Sequence, residues 1–339
     1  METESCDIPR KRRNALLVFS KPPVPGLVKT RLTPIKDGVF SPEVAAVLYH
    51  CMLFDVVEIC CDALTDLERA NEESNSATAE ENIQQSFDSY ELFISTTPPE
   101  NIELMRKLFE DSGTWPREIR FIGDAGASFD EHYNDAFNQL WALGFDTILS
   151  LGADMPALPR SVIIEGFQKL HRIDGQDRIG EGDTNTSDTS DTSGKGARGG
   201  MVLSPDQEMG VSLVGWTLQT DMDHSGVFYN SEGLTVLPAY IEKARKRGLP
   251  VYWLPAVPDI DTMADLAHNI TLMGAIEYCA QFQDISLPWR TIDALRQIEY
   301  FEVRVPPNEL RDSREGIDEK QRDIGDGSKT KLQTRPRET

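Results

Sequence analysis

Residues 14–32 read NALLVFSKPPVPGLVKTRL. The apolar run over residues 14–19, with prolines close behind it, predicts a strand buried on both faces, the kind found inside parallel sheets. The ending in Lys29, Thr30 and Arg31 raises the question of a phosphate loop. A P-loop needs glycines five residues apart with Lys and Ser/Thr after the second, and counting back from Lys29 those places hold Val28 and Pro23. It also grips phosphate with successive backbone N–H groups, which Pro22, Pro23 and Pro25 lack. An anion bound here must be held largely by side chains. Between Asn14 and Phe40 stand Lys21, Lys29, Arg31 and Lys36 against Asp37 alone, a local charge of +3 in a chain of −22. That excess marks either an anion site or a solvated proline-rich turn. Lys29 and Arg31, two apart, would point the same way in an extended segment, so that a point charge and a planar fork address one phosphate group.

Strands and helices then alternate. Ser41-Pro42-Glu43 is a helix start, followed by Val44, Val47, Leu48, Cys51 and Phe54 at helical spacing. A strand at 90–96, a helix at 100–110, a strand at 118–122 and a helix carrying Tyr133, Ala136, Phe137, Leu140 and Trp141 on one face, stopped by Gly144, continue the pattern. Strand 146–151 ends at Gly152-Ala153-Asp154. Two short strands (GGMVLSP, GVSLVGW), a helix over 235–247 closed by Gly248, a strand VYWL and a helix over 262–279 follow, and 288–304 adds a helix and an edge strand. Such alternation predicts an α/β three-layer sandwich around a mainly parallel, Rossmann-like mixed sheet, with ligands beyond the carboxyl ends of the strands. The expected organisation is one domain over residues 14–304, a flexible stretch at 1–13, disordered acidic or low-complexity inserts near 66–88 and 174–198, and a disordered tail from 305.

Composition limits the partners. With 56 acidic against 34 basic residues, the chain would be repelled by nucleic acid and by anionic membranes. No run approaches the eighteen or so apolar residues of a membrane span, and the N-terminus has too short an apolar stretch for a signal peptide, so a cytoplasmic protein is expected. The cysteines, five in number, lack metal-type spacing and read as reduced and structural. None of His50, His132, His171, His224 and His268 pairs at zinc-ligand spacing, and most read as surface residues. Neither a nucleophile elbow nor a dinucleotide fingerprint is present.

Three aspartates stand at promising places. Asp154 follows an apolar strand and precedes Met-Pro-Ala-Leu-Pro; it could hold Mg²⁺, which takes few protein ligands, or simply bond its own turn. Asp259 and Asp261, in PDIDTMADL, would face one side, while Thr262 and Asp265 spell a helix cap.

Taken in order, ALLVFSKPPVPGLVKTRL, LGADMPALP, VSLVGW and DIDTMADL resemble a bacterial-type family of transferases with the glycosyltransferase-A fold, uncharacterised or assigned to arsenosugar biosynthesis. The likeness covers about residues 14–275. Its wider superfamily, the nucleotide-diphospho-sugar transferases, includes molybdenum-cofactor guanylyltransferase and lactyl-phosphate guanylyltransferase. The resemblance implies that Lys21, Lys29 and Arg31 bind the phosphates of a nucleotide, and that Asp154 and Asp261 position Mg²⁺ or Mn²⁺. It also implies catalytic roles for Asp154 and for Glu208, which keeps the charge of the family's aspartate. The substrate expected is a nucleoside diphosphate sugar, with an NTP and nucleotidyl transfer as the alternative. The chain departs from the family at Met209, where a glycine is usual, at Gly123–Phe129, where a Glu-Arg pair is absent, and at Tyr229-Asn230-Ser231, which replaces a Trp-Ser-Thr element. A side chain at 209 would crowd the pocket if the glycine served close ligand approach. These changes suggest a third possibility, a catalytically inactive nucleotide-binding protein.

Overall fold

The structure, a computed structural model, describes residues 11–78, 88–181 and 199–302. The opening run forms β1 (Arg13–Phe19), with Ala15, Leu16, Leu17 and Val18 wholly buried. Two parallel neighbours flank it, β2 (Ser89–Thr96) and β4 (Thr147–Gly152), so that Leu16 lies level with Leu92 on one side and Leu149 on the other. With β3 (Ile119–Gly123), β5 (Met201–Pro205), β6 (Val211–Thr217) and β7 (Val251–Trp253), the sheet order is β3-β2-β1-β4-β6-β5-β7. Among the described residues only β6 runs against the rest, pairing antiparallel with β4 and β5. The sheet is therefore mixed and mainly parallel, as alternation predicts.

Side-chain alternation divides the core into two layers. Leu16 and Val18 face α1 (Pro42–Thr78), α2 (Ile102–Asp111) and α4 (Arg160–Glu181), through Leu53, Phe109 and Phe167 among others. Ala15 and Leu17 face α3 (Phe129–Ala142) and α5 (Val236–Arg247), packing with Phe137, Leu140 and Tyr240. A third cluster joins the far side of α1, through Leu48 and Met52, to α6 (Met263–Cys279) and α7 (Trp289–Gln297), through Ile270, Met273 and Leu295. Helix α1 thus packs on two sides, and a helix covered all round reads as apolar all round. Its stretch Pro42–Glu73 is long and apolar enough to cross a membrane, contrary to the sequence reading, yet 72% of the most apolar window is buried inside the fold.

Two expected inserts are partly helix. Residues 66–78 continue α1, because Leu67 is buried and two distant arginines hold the polar turns: Arg160 Nε lies 3.1 Å from Asp66, and Arg117 2.7 Å from Glu68. No local pattern reveals those partners. Residues 174–181 likewise continue α4. The remainder of both expected inserts, 79–87 and 182–198, lies outside the described residues, as do 1–10 and the tail from 303. The edge strand expected after residue 288 is absent among the described residues, where α7 is followed by irregular chain. The Thr262–Asp265 capping box forms as read, and Gly248 closes α5 in the left-handed conformation. Cys51, Cys60, Cys61 and Cys279 are free thiols. Of the histidines, His224 departs from the surface reading, being wholly buried among Phe137, Trp216 and Tyr240.

Candidate functional site

The carboxyl ends of β1 to β5 and the start of β6 open on one cleft of about 610 Å³. Among the residues lining it are Lys21, Lys29, Arg31, Asp154, Asp259 and Asp261. Each comes from a loop that leaves a strand end, so the parallel sheet gathers residues far apart in sequence. The loop after β4 is tied to the one before α6 by a backbone bond from Ile260 N to Asp154 O (3.0 Å). A Cβ at Gly152 would meet Asp154 Oδ1 at 2.8 Å, so a side chain there would push the Asp154 carboxylate from its present position.

Lys29 forms the centre of the charged end. Its Nζ donates to Asp154 Oδ2 at 2.6 Å and to Asp261 Oδ1 at 2.9 Å, and the side chain is only 6% exposed. Burial works against its charge, but Asp154 and Asp261 outweigh it and hold the ammonium above its ordinary pKa. Arg31 Nη1 donates to the other oxygen of Asp261 at 2.7 Å, from a side chain that is 58% exposed. Lys29 and Arg31 thus meet on the two oxygens of Asp261, for a reason other than extended spacing. Lys29 sits at φ 46°, ψ 39°, and a short 3-10 turn (Thr30–Leu32) follows. A left-handed lysine is a strained backbone of the sort concentrated at functional sites.

Asp259 is the third acid. Burial first, then the charges of Asp154 and Asp261, push its carboxyl up to about 7, with Gln207 and Lys29 pulling the other way. Gln207 Nε2 donates to Asp259 Oδ1 (2.8 Å) and to Asp265 Oδ1 (2.9 Å), fixing the acidic loop to the helix cap. Asp154 and Asp261 are the side chains that could hold a cation here: they converge on the Lys29 ammonium, beside the Asp259 carboxyl and an open cleft. Among the described residues no group of three or more acid, histidine or cysteine side chains is placed to hold a metal ion, so a metal at this pair would draw most of its shell from substrate and water.

Glu208 is placed elsewhere. It is exposed and outside the cleft lining, where Asp206 stands instead. Asp206 Oδ1 accepts from Glu208 N (2.6 Å) and Gly210 N (2.8 Å), closing the β5–β6 turn on itself and turning the following residues outward. Met209 is also outside the lining, 61% exposed at φ 68°. Met209 thus takes a left-handed backbone that glycine adopts more easily, and its thioether does not fill the cleft.

Other residues of the cleft lining carry no signal in the sequence motifs. Tyr133 stacks on Phe19 (centroids 3.8 Å apart, 18° between planes) and meets Phe129 and Phe228, making an aromatic wall. In the same lining Asp124 is buried, takes a hydrogen bond from Ser95 Oγ (2.6 Å) and lies 2.8 Å from His132 Nδ1. Tyr49, hidden within the apolar pattern of α1, reaches the cleft and shares a 2.9 Å hydrogen bond with Ser20; burial, with Asp154, pushes its phenol up to about 12. One signal was available: Ser95, Thr97 and Asp124 each stand at a strand's carboxyl end.

No protein-family model matches the chain, and no curated protein matches it in sequence. Solved structures match in shape. A Desulfovibrio desulfuricans protein described as a nucleotide-diphospho-sugar transferase superposes with a TM-score of 0.57 at 20% identity, over 85% of this chain and 96% of that one. A cytidylyltransferase from Leptospira borgpetersenii gives 0.40 at 11% identity, over 88% of this chain and all of that one. The first of these likenesses establishes the fold: a three-layer α/β architecture like that of nucleotide-diphospho-sugar transferases.

Proposed function

We propose that the protein is a transferase whose cleft binds a nucleoside diphosphate sugar with Mg²⁺ or Mn²⁺ and passes the sugar to an acceptor. The observation that carries this reading is the meeting of Lys29, Arg31, Asp154 and Asp261 at one mouth of the cleft. Cations and acids in one place suit a ligand that brings both phosphate and metal. Asp154 and Asp261 would hold the metal, which when bound neutralises charge on the departing diphosphate. Lys29 and Arg31 would take phosphate oxygens, Arg31 as a fork and Lys29 as a point charge, and Lys21 at the cleft edge would add long-range attraction. The aromatic wall offers a flat apolar face to a ring. With Glu208 outside the cleft, Asp154 is left as the catalytic acid of the reading, acting through charge and position. The fold likeness to a nucleotide-diphospho-sugar transferase supports the class of reaction.

The test is a product assay. Purified protein is incubated with labelled UDP-, GDP- and CDP-sugars and with the four NTPs in Mn²⁺, together with a panel of sugars, sugar phosphates and other hydroxyl acceptors and with water as the acceptor of hydrolysis, and phosphate products are separated. Release of a nucleoside diphosphate, lost in Asp154→Asn, is the expected result. Pyrophosphate from an NTP instead would reassign the reaction to nucleotidyl transfer. Release of neither product from any nucleotide would contradict the enzymatic reading.

A further inference from the structure

The ammonium of Lys29 occupies the position between two carboxylates where the proposed metal would sit. Its surroundings make it hard to displace alone. The side chain is 6% exposed, two of its three N–H donors are committed to Asp154 and Asp261, and the Tyr49 ring stands 5.9 Å behind it. A free divalent ion entering here would strip Lys29 of both partners and leave a buried, unpaired charge, which is strongly unfavourable. A metal already chelated to a diphosphate brings its own anion. The carboxylates can then turn to the metal while the ammonium turns to a phosphate oxygen, and no charge is left without a partner. Arg31 does not impose this constraint, since its exposed guanidinium returns to water when Asp261 is taken. Asp259 lines the same cleft as a third acidic side chain beside the pair.

We infer that Lys29 is a resident cation that closes the Asp154–Asp261 pair to free divalent metal and yields it only to a metal–diphosphate chelate, so that metal and diphosphate bind as one unit. This rests on the nucleotide-transferase reading of the cleft. It gives that site a specificity of its own, because the protein selects the chelated ligand over either component. By linkage, each component raises the affinity for the other by the same factor.

The experiment measures the Mn²⁺ retained with the full chain by ultrafiltration, with and without inorganic pyrophosphate, against a protein-free control for the Mn²⁺ that pyrophosphate binds in solution. In the wild type, pyrophosphate is expected to tighten Mn²⁺ binding by about tenfold or more, within the usual range of such couplings. In Lys29→Met, of similar length and no charge, Mn²⁺ alone is expected to bind at least about tenfold more tightly than to wild type, the two carboxylates now lacking a cation. Pyrophosphate should then add little. Lys29→Gln gives a second, hydrogen-bonding variant with the same expectation should Lys29→Met fail to fold. Equal Mn²⁺ affinity in wild type and variants, abolished by Asp154→Asn, would overturn the exchange while leaving the metal site and the proposed function standing. No Mn²⁺ binding to any form, with or without pyrophosphate, would remove both.

Discussion

Asp154 accepts a 2.6 Å hydrogen bond from Lys29 across 125 residues of sequence. The sheet explains the meeting. Lys29 follows β1 and Asp154 follows β4, and these strands are parallel neighbours, so their exit loops lie side by side. The Asp261 loop joins them through the Ile260–Asp154 backbone bond, and Lys29 completes the arrangement by bonding both acids. Charge at the mouth of the cleft is therefore a property of topology as much as of composition.

Arg31 tests the phosphate role without disturbing the fold. It is exposed and pairs with a half-exposed acid, a kind of surface pair worth about 0–1 kcal/mol. Arg31→Ala is expected to leave the melting temperature nearly unchanged, yet to weaken Mn²⁺–UDP or Mn²⁺–GDP by roughly tenfold, the loss of one charge-assisted contact. Calorimetric titration at about 50 and 300 mM NaCl should show a smaller salt dependence in the variant. Unchanged affinity would remove Arg31 from the site.

Asp259 should leave a mark on stability against pH. Its carboxyl, ordinarily at 3.8, is pushed to about 7 by burial and by the two neighbouring acids. Between those values the folded protein holds a proton that the unfolded chain has released, so this group's contribution favours folding less as pH rises through about 4 to 7. Asp259→Asn, which keeps the oxygen that Gln207 bonds, is expected to raise the melting temperature at pH 8 and change it little at pH 4. Equal shifts at both pH values would contradict the assignment.

His224 should act in the opposite sense. Burial, with the Lys243 charge next, lowers its pKa from 6.5 to about 3, and its Nδ1 lies 2.7 Å from Tyr240 Oη. The unfolded chain therefore takes up a proton the folded protein refuses, and this contribution to stability is lost as pH falls from 6.5 towards 3. His224→Gln cannot titrate and can keep the bond to Tyr240, so its urea unfolding free energy is expected to fall less steeply between pH 6 and 4 than that of wild type. Parallel slopes would show that His224 does not titrate on unfolding.

The strands and most helices were legible because buried parallel strands are short apolar runs and covered helices carry one apolar face. Lys29, Arg31, Asp154 and Asp261 were legible as residues standing at strand ends, although the left-handed backbone that aims Lys29 carries no sequence signal in a lysine. Residues 66–78 were misread because a polar helix end depends on Arg117 and Arg160, ion pairs of long range that leave no local period. The exposed position of Glu208 was not legible for a related reason: charge is visible in sequence, whereas the Asx turn that Asp206 makes around it depends on geometry. Of the aromatic wall only Tyr133 was legible, and as part of an apolar helix face, because that face also packs against the sheet.

Whether the acids and cations at the cleft mouth bind a metal-chelated nucleotide is best decided by calorimetric titration of UDP, GDP and CDP with Mn²⁺ into wild type and Asp154→Asn. Saturable binding of at least one nucleotide to wild type, weakened on the order of tenfold or more in Asp154→Asn and dependent on Mn²⁺, is the expected result. Affinity equal in the two proteins, or no binding of any nucleotide to wild type, would contradict it.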